Sequence, residues 1–104
     1  MREARIATIS DHAGRRLAQR NLNLEDAGYV LRYGRSYHTG NALFVYLGWR
    51  DIPTEHRRED RLRRLEGTIL VLNPDTGDHL TTAYRNRRHG SRDIKRKAKR
   101  AIPR

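Results

Sequence analysis

His12 and Arg16 stand four residues apart in the segment running from Ser10 to Leu17. On a helix that spacing is about one turn, so an acid/base imidazole would sit beside a phosphate-binding guanidinium. Such a pair suits proton transfer at a group whose negative charge is held in place, as in phosphoryl chemistry. Tyr84 and Arg85, at the end of a strand-like run, would complete the constellation, with Tyr84 sharing a strand face with Thr82. The competing reading, and the commoner fate of such a residue, is that His12 packs where a helix meets a sheet and donates to a backbone carbonyl.

The second feature able to do chemistry is charge. The chain has 104 residues, 23 Lys and Arg against 12 Asp and Glu, and a net charge of +11. Residues 85–104 carry ten of those cations against the single acid Asp93, whereas residues 1–84 are nearly balanced. A segment that dense in cations attracts polyanions without base specificity, and the attraction falls steeply with salt. Arg20, Arg87, Arg88, Arg92, Lys95, Arg96, Lys97, Lys99 and Arg100 are the candidate nucleic-acid-binding residues. The plainer alternative is a solvated tail that keeps the protein soluble. Trp49 and Tyr46, near a strand end, could stack a base, although core packing is the commoner use of both.

Other chemistries find little support. There is no cysteine, hence no disulfide framework, thiolate nucleophile or thiolate metal site. His38, His56, His79 and His89 lie singly, without a metal-ligand spacing backed by a third ligand, so neither a metal nor a cofactor is expected. Asp75 and Asp78 flank Gly77, where Asp usually bonds its own backbone. No phosphate-binding loop, dinucleotide fingerprint or serine-nucleophile elbow occurs. The longest apolar run, Ala42 to Leu47, is far too short to span a bilayer, and the N-terminus lacks the apolar core of a signal peptide. A cytoplasmic protein that does not engage membranes is expected.

These residues need elements to position them. Ser10 is a good N-cap for a helix to about Arg20, with Ile9, Ala13 and Leu17 as its apolar stripe and His12, Arg16 and Arg20 along the stripe's border. Asn23 can cap a second helix with Asp26 at N3; Leu24, Ala27, Val30 and Leu31 form its core face, and Gly34 stands at its C-terminus. Arg35 to Thr39 and Ala42 to Leu47 read as strands. Thr68 to Leu72 and His79 to Tyr84 read as a hairpin around Asn73-Pro-Asp-Thr-Gly-Asp78, closed by Gly77 at positive φ. Residues 49–66 interrupt the sheet as a charged surface loop with a helical turn or two. There Thr54 can cap, Leu62 and Leu65 anchor, and Glu59–Arg63 and Asp60–Arg64 pair at i, i+4. Ser91 can cap a last helix, Arg92 to Arg100, which has almost no apolar face and is expected to fray; residues 101–104 are expected to be disordered. A short strand or arm around Ile6 and Ile9 leads in. The expected fold is α+β: two N-terminal helices packed on a four-stranded antiparallel sheet, one domain over residues 1–88, followed by a basic C-terminal helix or tail over 89–104.

Over roughly residues 8–88 the chain resembles a group of small bacterial domains of unknown function that is similar to BrnT- and RelE-type toxins and to colicin-like ribonuclease domains. The likeness rests on Ser10-Asp-His12-Ala-x-x-Arg16, on an Asn-Leu-x-x-Glu/Asp pattern at the second helix, Asn21-Leu-x-x-Glu25, and on Thr82-Ala-Tyr84-Arg-Asn-Arg87. It implies a metal-independent endoribonuclease in which the 2′-hydroxyl attacks the adjacent phosphate, in a toxin–antitoxin pair with an acidic antitoxin or immunity protein as partner. His12 would then be the general base or acid, Arg16 and Arg85 would hold the scissile phosphate, and Tyr84 would assist or stack. The alternatives are a non-catalytic nucleic-acid- or ribosome-binding accessory protein and a structural subunit of a larger assembly.

Overall fold

The computed structural model describes residues 5–101, with side chains as far as residue 96. In chain order the elements are strand β1 (Thr8–Ile9), helices α1 (Asp11–Gln19) and α2 (Leu24–Tyr33), strands β2 (Arg35–His38) and β3 (Leu43–Tyr46), the short helix α3 (Asp60–Arg63), strands β4 (Thr68–Leu72) and β5 (His79–Arg85), and helix α4 (Gly90–Ala101). Two 3-10 turns, Trp49–Asp51 and Thr54–Arg58, lie between β3 and α3.

The two N-terminal helices begin where the sequence places them. The Ser10 hydroxyl accepts the Ala13 N–H at 3.0 Å, and Asn23 and Asp26 form a reciprocal capping box. Each satisfies backbone donors that a helix start would otherwise leave unpaired. α2 ends at Tyr33 as expected, but Gly34 has φ −72°, so it is not a left-handed cap. A Cβ at Gly34 would meet the Val30 and Tyr46 carbonyls, and glycine is needed there for space.

The sheet has five strands in the order β1-β5-β4-β3-β2, and it is mixed. This corrects the expected four-stranded antiparallel meander. β1 pairs with β5 in parallel, Thr8 opposite His79 and Ile9 opposite Leu80. The other pairings are antiparallel. Two residues are too few to carry a strand period, so this pairing leaves no trace in the pattern. It is secured by the Ser10 N–H on the Leu80 carbonyl at 2.9 Å and the Ser10 hydroxyl on the Thr81 carbonyl at 3.0 Å.

The hairpin forms as expected, with Gly77 at φ +71°. The local bonds expected of the aspartates are made instead by Asn73, whose Oδ1 accepts the Asp75 and Thr76 N–H groups. A register shift at Val71–Leu72 leaves Thr81 as an extra residue in β5. As a result Leu80 and Ala83 point to the same face although they are three residues apart.

Both faces of the sheet are covered. One carries the main core, in which Val45, Leu70, Leu72, Leu80 and Ala83 meet Ala13, Leu17, Ala27 and Val30 of α1 and α2. Residues 49–66 contribute to this core more than a surface loop would, because Ile52, Leu62 and Leu65 are all buried. The second face, with Phe44 and Ile69, is closed by α4, whose Ile94 is fully buried. The expected fraying basic tail is therefore helical over residues 90–101, and Ile94 packs it on the sheet as a third layer. One buried isoleucine in a run of cations is too sparse a signal to see in sequence.

Three local expectations are also corrected. Ser91 lies inside α4, whose start is tied by Asn86 accepting the His89 N–H and donating to Asp93. Thr54 makes no capping bond. Asp60 pairs with Arg63 rather than Arg64, which turns instead to Asp26. The disorder expected for residues 102–104 lies outside the described residues. Among the described residues, no helix is long and apolar enough to cross a membrane.

Candidate polyanion-binding site

α1 lies along β5, beginning beside Thr81 and ending beside Arg85. Its buried Ala13 and Leu17 face the sheet, which leaves His12 exposed and Arg16 half-buried along one border. These two do sit one turn apart. Arg16 reaches the Gln19 side-chain oxygen at 3.4 Å.

Tyr84 is elsewhere. Successive residues on a strand point to opposite faces. Ala83 belongs to the core under α1 and α2, so Tyr84 packs on the far side with Phe44, Ile69 and Ile94. The sheet thus separates Tyr84 from His12 and Arg16. Arg85 returns to the helix side, at the opposite end of α1 from His12. By helix geometry, the eight residues from His12 to Arg20 span about 12 Å.

At that end four arginines gather. Arg85 Nη2 donates to the Arg64 carbonyl at 2.9 Å, and Arg87 Nε donates to the Glu66 carbonyl at 3.5 Å. Arg64 in turn donates to Asp26 at 2.7 Å and to the Asn21 carbonyl at 3.3 Å. Gly67, at φ +86°, lets the chain turn tightly into β4. A Cβ there would collide with Arg87, so the glycine also lets Arg87 approach. Partial burial pushes the Arg85 guanidinium below its ordinary value, and the neighbouring cations Arg87, Arg64 and Arg20 push it further. Its Nε is buried without a hydrogen-bond partner. Arg35–Asp51, Arg61–Glu59, Arg63–Asp60 and Arg64–Asp26 form ion pairs, whereas among the described residues no carboxylate pairs with Arg20, Arg85 or Arg87.

A comparison of the chain with known family models, curated proteins and solved structures finds no match. The site therefore has to be judged on its own chemistry. A buried donor without a partner is costly, and clustered guanidinium groups repel one another. Both penalties fall when an anion with several acceptor oxygens binds, because guanidinium forks match phosphate oxygens.

The remaining candidates are dispersed. Arg88 is exposed just beyond β5. Arg92, Lys95 and Arg96 are exposed on α4, which packs on the other face of the sheet from α1. The side chains of Lys97, Lys99 and Arg100 lie outside the described residues. His56 bonds the Tyr29 hydroxyl at 2.8 Å and His79 bonds Thr8 at 2.6 Å, both away from the cluster. Among the described residues, no group of three His, Cys, Asp or Glu could hold a metal ion. Arg64 is the member that sequence reasoning missed. Its place depends on a contact with Asp26, 38 residues away, and no local pattern encodes that.

Proposed function

We propose that this domain binds the phosphate backbone of RNA or another nucleic acid, and that Arg85, with Arg20, Arg64 and Arg87, is its grip. The observation that carries this reading is the buried, unpartnered Arg85 Nε among three other arginines. The excess of positive charge in residues 85–104, part of it displayed on α4, favours a long polyanion over a small one. The binding surface then extends past the cluster, and affinity depends on salt.

Metal-independent cleavage is the second reading. It is favoured by His12 and Arg16, side by side and accessible on the helix that leads to the cluster. It stands second because its acid/base group lies about two helical turns from the grip and Tyr84 is across the sheet. An acidic antitoxin-like partner would compete for the same arginines under this reading.

The test is fluorescence anisotropy with a labelled RNA 20-mer and the DNA of the same sequence, over a salt series in EDTA. Arg85→Ala should weaken binding about 5- to 50-fold and reduce the slope of log K against log salt by about one. Arg61→Ala, an exposed position on α3 beside Glu59, should change little. Wild-type affinity in Arg85→Ala would remove the cluster from the binding site. RNA shortened during the assay, but left intact by His12→Ala, would move the second reading to first place.

A further inference from the structure

The arginine cluster occupies one end of the sheet, where β5 ends and β4 begins. β3 ends there too and runs through Leu47 and Gly48 into Trp49. The ends of β5 and β3 are two strand spacings apart, about 10 Å. Trp49 is 41% exposed, the most exposed aromatic side chain among the large hydrophobic residues described. Arg57 lies over its ring, 4.8 Å from the centroid. That guanidinium is itself fixed, with Nε on the Ile52 carbonyl at 3.0 Å and Nη2 on the Trp49 carbonyl at 3.2 Å. The indole is therefore backed by a cation and held in place while part of its surface faces water.

Trp49 also forms part of the wall of an open groove of about 330 Å³, with Tyr46, Arg50 and Glu66. Arg35 at this groove is occupied by Asp51 at 2.9 Å. The carboxylates of Glu66 and Asp51 make the groove a poor place for phosphate. A carboxylate does suit the exocyclic amino group of a base. The two neighbouring sites thus differ in chemistry: a guanidinium cluster in which Arg64 alone is paired with an acid, and an aromatic wall with carboxylates.

We infer that Trp49, backed by Arg57, is a stacking platform for an unpaired base, so that the polynucleotide gripped by the arginine cluster is single-stranded. The inference rests on the nucleic-acid reading above and adds strand selectivity to it. In a duplex both faces of each internal base are already stacked, and exposing one means unstacking the helix. A single strand can lay its backbone on the arginines and turn a base onto the indole. Stacking on an aromatic residue tolerates any base, so no sequence preference is required.

Trp49 is the chain's one tryptophan and reports directly on its own contact. The experiment titrates the full chain with a 12-nucleotide single strand and with the matching duplex, following intrinsic fluorescence and anisotropy together. The single strand should quench Trp49 and the duplex should not. Trp49→Ala should weaken single-strand binding about 5- to 100-fold, with duplex binding unchanged. Trp49→Phe, which keeps a ring, should recover part of the loss and guards against a folding defect in the alanine variant. Wild-type single-strand affinity in a folded Trp49→Ala, or equal quenching by the duplex, would overturn the platform and leave the arginine grip standing. If the wild-type protein binds neither form at low salt, the underlying reading fails with it.

Discussion

Asp26→Ala should lower the unfolding free energy by about 2–4 kcal/mol and the melting temperature by about 10–25 °C. The carboxylate is 3% exposed and serves two partners at once. It accepts the Asn23 N–H at 3.1 Å, closing the capping box of α2, and Arg64 Nη2 at 2.7 Å. Asn23 still caps the helix in this variant, and losing the return bond from the N3 carboxylate costs about 0.5–1.5 kcal/mol. Losing the ion pair leaves Arg64 without its carboxylate. Because the Arg64 side chain is 36% exposed, that loss is well below the figure for a fully buried pair. Asp26→Asn keeps an oxygen for the cap and removes the charge, so it should fall between alanine and wild type. Thermal and urea melts give the values. A loss under about 1 kcal/mol in Asp26→Ala would mean that Leu62 and Leu65 alone hold the segment around Arg64. The alanine variant should also bind nucleic acid more weakly, because the Arg64 carbonyl that orients Arg85 belongs to that segment.

Ile94→Ala should cost about 2–4 kcal/mol, a surprising amount for a residue embedded in a run of cations. Ile94 is fully buried against Phe44 and Ile69, and Tyr37, Val71 and Tyr84 pack around them. Truncation leaves a cavity on a face where Ile94 is the one buried large side chain from α4 among the described residues. Ile94→Asp should detach the helix, expose Phe44 and Ile69 and make Arg92, Lys95 and Arg96 far more sensitive to trypsin. If both variants melt like the wild type, residues 90–101 contribute nothing to the fold's stability. The comparison also separates the helix's two duties. A charge-reversing Lys95→Glu should leave the melting temperature nearly unchanged and weaken polyanion binding about 3-fold or more.

How far the sequence could be read depends on how local each signal is. Ser10, Asn23 with Asp26, and the Asn73 to Asp78 turn all act on backbone groups within a few residues, so their roles follow from the residues themselves. The features that differ are long-range. β1 exists through a pairing 71 residues away in the chain, and α4 is anchored where Ile94 meets a sheet face that the strand pattern only hinted was covered. The divergence of Tyr84 and Arg85 was legible all the same: neighbours on a strand cannot serve one site on one face. Of the expected constellation, His12 with Arg16 stay together and Arg85 heads a different cluster. Arg64, its essential neighbour, could not be found by any spacing rule because its partner lies in α2.

Residues 7–10 are held by the C-terminal third of the chain. Thr8 and Ile9 pair with His79 and Leu80, Ser10 bonds the Leu80 and Thr81 backbone, and α1 packs on the strand that follows. During synthesis, residues 7–10 leave the ribosome well before residues 78–81 have been made. At ordinary elongation rates of about 5–20 residues per second, the wait is several seconds, far longer than a helix needs to form. Throughout that interval the apolar stripe of Ala13 and Leu17 has no sheet to cover it. The hairpin Thr68 to Arg85 is the last part of the sheet to be made and the part that β1 and α1 must await, so these two earliest elements are closed by the latest strand.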